Sequence, residues 1–368
     1  MGDNKDQFLQ RDKYSFQVST EEDGWRRALQ DVGEYDCYHT WDFHELSRKN
    51  REGSPLLFTY KGRGGVIVWP LLLRSFKANG RQWKDLTSTY GYPGPLTKGG
   101  VSDFDKKIWS RCIERWCGEH GIVSIFARLN PFLDTASVLT GLGEIRTLGD
   151  TVPIDLRESM EGQRLNYRNS LKRGIKKLEK MGAECREVDS ESYLDEFMAI
   201  YKETMSHRGA KEYYFFGREY CEALFSAKDF SARMYGVFIE NRMVCAGIFM
   251  HTGKFVQYHL GGTLPGFYRF APSKLLHDKV RIYATEQGAE WLMLGGGVGG
   301  CNDELMYFKT GFSPLKLPYK VVQIIIDPGA YEKLEKYAAA VANERGMALN
   351  PHFFPSYRSV KDVVQDYA

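Results

Sequence analysis

Residues 232–294, ARMYGVFIENRMVCAGIFMHTGKFVQYHLGGTLPGFYRFAPSKLLHDKVRIYATEQGAEWLML, decide the fold. Two apolar runs, 232–239 and 243–251, flank the turn pair Glu240-Asn241, which is the pattern of a β-hairpin. A third run, 255–260, opens into the loop 261–270. A helical segment, 273–287, follows and stops at Gly288, and 291–294 is apolar again. Hairpin, strand, loop, helix, strand mixes antiparallel pairing with one parallel β-α-β crossover. The predicted class is therefore α/β with a mixed sheet, not a doubly wound one.

The same order stands earlier in the chain. Runs 56–60 and 66–74 flank a turn at 61–65, strand 85–90 leads into Gly91-Tyr92-Pro93-Gly94-Pro95, and a helix at 103–120 carries Phe104, Ile108, Cys112 and Trp116 at helical spacing. Gly121 ends that helix before strand 122–129. This predicts an internal duplication at the level of the fold. Helices are also predicted at 24–32, 41–49, 193–208 and 331–345. Asp150, Pro153 and Asp155 break periodicity, so 148–161 reads as a linker. The expected organisation is an N-terminal domain over 14–152, a second domain over 153–326, and a C-terminal helix and tail over 327–368.

The chain has 368 residues, 43% apolar and 26% charged, which is the composition of a globular protein with a sizeable core. Fifty basic against 47 acidic residues leave a net charge of +3, so any polyanion site must be local. The longest apolar runs have strand length, too short for a membrane span. The N-terminus, MGDNKDQFLQRDK, has no apolar signal core, and the seven cysteines are scattered. Both point to the cytoplasm.

One stretch departs from neutrality: RLNYRNSLKRGIKKLEK, residues 164–180. Arg164, Arg168, Lys172, Lys176 and Lys180 recur at i+4. On one helix they form a basic stripe, widened by Arg173 and Lys177, beside the apolar positions Tyr167, Leu171, Ile175 and Leu178. The expected partner is a polyanion: a nucleic-acid backbone, a diphosphate or an anionic membrane surface. No P-loop, HExxH or GxSxG motif is present. GGGVGG at 295–300 contains GxGxxG. The next segment, interrupted by Gly311, Pro314 and Pro318, cannot supply the helix that a dinucleotide site needs.

Several segments, taken in order, resemble the FemABX-like enzymes: Tyr90–Pro95, the basic helix 166–182, Thr204–Tyr214 with Arg208 before an aromatic pair, Tyr258-His259-Leu260-Gly261-Gly262, and Phe308-Lys309-Thr310-Gly311-Phe312. The family's Ala is Gly262 here, and its long helical insertion is absent. The resemblance implies two tandem GNAT-like domains moving an amino acid from aminoacyl-tRNA to an amine, typically on a peptidoglycan precursor, with the acceptor in the cleft between domains. It implies a role for Phe308 and Lys309 at the aminoacyl end of the tRNA. Arg208, Tyr213, Tyr214, Tyr258, Tyr90, Tyr92 and Trp41 would serve the substrate.

The residues agree with that expectation. Aminolysis of an ester passes through an oxyanion, which a fixed ammonium can stabilise. Lys309, flanked by Phe308 and Phe312, is the candidate. A coenzyme A cradle needs R/Q-x-x-G-x-G/A before the main helix, and residues 266–273, GFYRFAPS, lack it. No cofactor is expected, with aminoacyl-tRNA as co-substrate and a small-molecule or nucleotide-linked amine as acceptor. The alternatives are an acyl-CoA-dependent N-acyltransferase acting on an amino sugar, and a non-catalytic binding protein. No general base stands out; His259, Asp303 and Glu304 lie nearest in sequence.

Overall fold

The computed structural model describes residues 9–11, 14–133 and 135–367. Most of the N-terminal stretch on which the signal-peptide reading rests lies outside them. The chain forms two compact units, one of residues up to Leu148 together with those from Tyr319 onward, the other of Gly149–Pro318.

The first unit begins with strands β1 (Leu9–Arg11) and β2 (Tyr14–Ser19), helices α1 (Glu22–Val32) and α2 (Trp41–Lys49), and strands β3 (Ser54–Lys61), β4 (Gly65–Ala78), β5 (Arg81–Thr87) and β6 (Leu96–Gly99). Helix α3 (Asp103–Glu119) and strand β7 (Ile122–Arg128) follow. β3 and β4 form the expected hairpin, with Phe58 opposite Trp69. β5 and β7 pair in parallel across α3, the expected crossover. Ser102 and Asp105 start α3 with a reciprocal capping box, and Trp109, Ile113 and Cys117 bury its inner face.

Strand β8 (Glu144–Asp155) occupies most of the expected linker. Thr151, Val152, Pro153 and Ile154 are all buried, a short continuous run with no period-two alternation to mark it in the sequence. The second unit then contains α4 (Met160–Leu165), α5 (Asn169–Lys180), β9 (Glu184–Val188), α6 (Ser190–His207), α7 (Arg218–Phe225), β10 (Ser231–Ile239), β11 (Arg242–Thr252), β12 (Phe255–Thr263), α8 (Ser273–Glu286), β13 (Trp291–Gly296) and α9 (Glu304–Lys309). Its sheet runs β8-β13-β12-β11-β10-β9. Glu240 and Asn241 both have positive φ, 51° and 61°, which makes their turn the two-residue hairpin type that matches strand twist.

The chain then returns to the first unit with β14 (Leu317–Ile325), α10 (Pro328–Glu344) and β15 (Gln365–Tyr367). β14 pairs antiparallel with β7, from Val321 opposite Arg128 to Ile325 opposite Ser124. Residues 319–326, assigned by sequence to the second domain, therefore belong to the first. Residues 327–368 are no separate tail. α10 buries Ala330, Leu334, Ala338 and Ala342 in a core shared with Phe76, Val123 and Tyr357.

A buried carboxylate ties this segment down. Asp85 accepts from Arg74 Nε at 2.6 Å, Arg358 Nε at 2.7 Å and Tyr357 Oη at 2.9 Å. Burial pushes the Asp85 carboxyl up, but the Arg74 and Arg358 guanidiniums outweigh it and hold it below the usual range. This group adds stability above its unfolded pKa, and that stability is lost as pH falls through the lowered folded value. Arg358→Ala leaves Asp85 with Arg74 and Tyr357. We therefore expect a loss of only about 2 kcal/mol in urea unfolding at pH 7, shrinking toward zero in acid. A pH-independent loss would refute the linkage.

Candidate active site

β12 and β13 are hydrogen-bonded in parallel only from Phe255–Gln257 to Trp291–Met293. Beyond that they continue separately, to Thr263 and Gly296. A bulge marks the parting: Ile248 of β11 faces Leu260 and Phe249 faces Tyr258, so His259 is the extra residue. Bulges re-aim side chains beside functional openings. Here the His259 ring turns inward, with Nε2 2.8 Å from Tyr220 Oη, and burial pushes its pKa down to about 3. An imidazole so depressed in basicity, with Nε2 already engaged by Tyr220, is a weak proton acceptor.

Tyr258, α8 and α9 meet beside this opening. The Tyr258 ring lies 4.6 Å from that of His277 on α8, and His277 lies 5.8 Å from Phe308 and 5.4 Å from Phe312. A Cβ on Gly261 would stand 2.2 Å from Tyr258 Oη, so this side chain is placed by the absence of one three residues on. At Gly262 a Cβ would meet Thr204 Oγ1 at 2.6 Å. Thr204 fills that space, donating to Ile200 O and accepting from Thr263 N. This accounts for Gly262 where the FemABX-like pattern has Ala.

Lys309 is 7% exposed, and its Nζ donates to Gly296 O at 2.7 Å. Burial pushes its pKa down to about 8, against the opposing pull of the Asp303 carboxylate. The Gly-rich stretch thus supplies the carbonyl that fixes this ammonium. Asp303 caps α9 through Met306 N and also takes Val298 N, each at 2.8 Å, which ties the loop to the helix that carries Lys309.

His277 was not foreseen. Its Nδ1 faces Ser273 O at 2.7 Å, so the neutral ring carries its proton there. Nε2 is buried with no hydrogen-bond partner among the described residues, and burial pushes the pKa down to about 4. One histidine on an apolar helix face gives no sequence signal beyond core packing.

The single basic helix expected over 164–180 is two helices. Arg164 lies on α4, whereas Arg168, with extended ψ of 140°, is the N-cap of α5. Tyr167 is buried there, and its Oη donates to Asp278 of α8 at 2.9 Å. Arg168 turns toward α9, donating to Tyr307 O and Thr310 Oγ1, both at 3.1 Å. Lys172 Nζ donates to Leu165 O at 3.1 Å. Lys176 and Lys180, with Arg173 and Lys177, remain on the exposed side, and Leu171, Ile175 and Leu178 are buried as expected. Among the described residues none of these lysines and arginines forms an ion pair.

The remaining candidates make other contacts. Arg208 caps the C-terminus of α6, with its guanidinium 5.7 Å from the centre of the Tyr268 ring. Tyr213 and Tyr214 are exposed on a short turn, Glu212–Tyr214. In the first unit, Tyr90 and Tyr92 pack edge-on against Tyr38, and Trp41 against Trp25.

Comparison with known proteins bears on the fold. A family model described as an acetyltransferase (GNAT) domain matches residues 166–310. No curated protein matches. Among solved structures, FemX is similar with a TM-score of 0.63 at 13% identity, covering 85% of this chain and 98% of FemX. The structure of L-PGS from Bacillus licheniformis gives 0.52 at 14% identity, covering 84% and 93%. A conserved protein of unknown function from Bacteroides thetaiotaomicron gives 0.54 at 8% identity, covering 84% and 99%. At these identities the likeness is one of fold: the chain has a FemABX-like fold with GNAT-like units. Among the described residues no helix is long and apolar enough to cross a membrane.

Proposed function

We propose that this chain is a cytoplasmic aminoacyltransferase that moves an amino acid from aminoacyl-tRNA to the amine of a small-molecule or nucleotide-linked acceptor, a peptidoglycan-precursor-like or natural-product compound, forming an amide. The observation that carries this reading is the buried Lys309 ammonium, pinned on Gly296 O at the parting of β12 and β13. The acceptor amine attacks the ester carbonyl, and its oxygen becomes an oxyanion that Lys309 stabilises. Collapse breaks the bond to the ribose oxygen, which takes up the proton that the amine loses. Arg208, Tyr213 and Tyr214 are assigned to acceptor phosphate, with Tyr258 beside the acceptor. Arg173, Lys176, Lys177 and Lys180 are assigned to the donor's backbone.

The rival donor, a coenzyme A thioester, would need free backbone N–H groups at the start of α8. Pro272 has none, and the N–H groups of Lys274 and Leu275 already bond to Ala271 O and Pro272 O. The test is a titration with an aminoacyl-tRNA pool and, separately, with acetyl-CoA, at two salt concentrations. We expect salt-sensitive tRNA binding and no acetyl-CoA binding. The double variant Lys176→Glu/Lys180→Glu should weaken tRNA binding and lower the log–log salt slope by about 1–2. Binding of acetyl-CoA without tRNA would overturn the proposal.

A further inference from the structure

We infer that Tyr307 and Arg168 form a stacking platform for a nucleobase at the acylated end of the donor RNA, an inference that rests on the aminoacyl-tRNA reading above. Tyr307 is 64% exposed, although Met306 and Lys309 on the same short helix are buried. The Arg168 guanidinium lies 3.9 Å from the centre of its ring. Arg168 is itself fixed. Its side chain donates to Tyr307 O and Thr310 Oγ1, and its backbone N–H donates to Gly311 O at 2.8 Å. One face of the ring is thus backed by a cation held in place before any ligand arrives, and the exposure leaves the other open. Bases of any sequence stack on such rings, and a guanidinium behind the ring adds to the attraction.

Position and charge define the ligand further. Tyr307 and Lys309 share the short helix α9, and the Arg168 bonds to Tyr307 O and Thr310 Oγ1 bracket Lys309, so a base stacked on Tyr307 belongs to the RNA segment beside the transfer site. Glu304 lies one turn before Tyr307 on α9, and Asp303 caps that helix. Phosphates are repelled on that side and must leave toward α5, where Lys176 and Lys180 stand without ion-pair partners among the described residues. The same two carboxylates disfavour an anionic bilayer as the occupant, because a membrane would have to cover them together with the ring.

The test uses the full chain and a short RNA whose 3′-terminal base is 2-aminopurine. With the wild type, binding should quench the fluorophore. Tyr307→Ser should abolish the quench and weaken binding roughly 5- to 100-fold, the range for loss of one base stack, without lowering the unfolding temperature. Tyr307→Phe should retain both. Unchanged quench and affinity in Tyr307→Ser would overturn the platform and leave the donor reading standing. Failure of the wild type to bind either this RNA or intact aminoacyl-tRNA would overturn both. Binding to phosphatidylglycerol-containing vesicles that Tyr307→Ser abolishes, with RNA binding intact, would assign the surface to lipid and overturn the platform.

Discussion

Lys309→Met is expected to lower kcat for acyl transfer by about 100- to 1,000-fold, the loss seen when one oxyanion donor is removed from a preorganised site. The folded protein should be no less stable at neutral pH. The two expectations belong together because the ammonium is buried at a cost. Its folded pKa is pushed down to about 8 from an ordinary 10.5, so the unfolded chain binds more protons between those values. Stability therefore rises as pH climbs through that window, and the penalty stands in full below it. Removing the charge relieves the penalty. A purely structural lysine, by contrast, would show a fall in stability and an unchanged kcat.

The same group sets a pH dependence for the reaction. The ammonium is the form that stabilises an oxyanion, so kcat should hold on the neutral side and fall as pH rises through about 8. Asp303 and His277 are the titratable neighbours that act on Lys309. The Asp303 carboxyl is already ionised there, and His277, with a pKa of about 4, is already neutral. Neither can produce an inflection near 8. Lys309→Arg, which stays charged across the range, should lose the alkaline limb whatever its residual rate. An alkaline limb that survives in Lys309→Arg would assign it to another group.

What could be read from sequence follows the range of the interactions. The hairpins and the two β-α-β crossovers were legible because periods of two and 3.6, with a Gly–Pro or Glu-Asn turn between them, are local patterns. β8 was not, because Pro153 and its flanking aspartates read as a breaker, whereas the residues that make it a strand lie opposite, at Leu292 and Met293. β14 was placed in the wrong domain because its ladder partner β7 is nearly 200 residues earlier, at Ser124–Arg128. Motifs singled out Lys309 and Tyr258, which the fold carries on α9 and β12. The break in the basic helix was not legible, since nothing local distinguishes Tyr167 from the other apolar residues of the stripe. Only its bond to Asp278 does so.

That bond belongs to a buried network whose rupture should produce the largest loss of stability of any single change proposed for this unit. Asp278 Oδ1 accepts from Tyr167 Oη at 2.9 Å and from Arg281 Nη2 at 3.1 Å, and Arg281 Nη1 donates to Gln163 Oε1 at 2.7 Å. Asp278 and Arg281 are each 1% exposed. Asp278→Ala therefore leaves a guanidinium buried without its carboxylate, and we expect a loss of about 3–5 kcal/mol in denaturant unfolding. The double replacement Asp278→Leu/Arg281→Met removes both charges and should recover most of that loss, because a buried ion pair contributes little beyond what apolar packing can replace. Activity should not recover with stability. Gln163 and Tyr167 join α4 and the start of α5 to α8, and Arg168, the next residue, holds the turn after Lys309. In the double variant Tyr167 loses its acceptor and the Arg168 clamp loses its anchor, so a refolded and stable protein should still show a reduced kcat. Full activity in a stable double variant would show that the network serves stability alone.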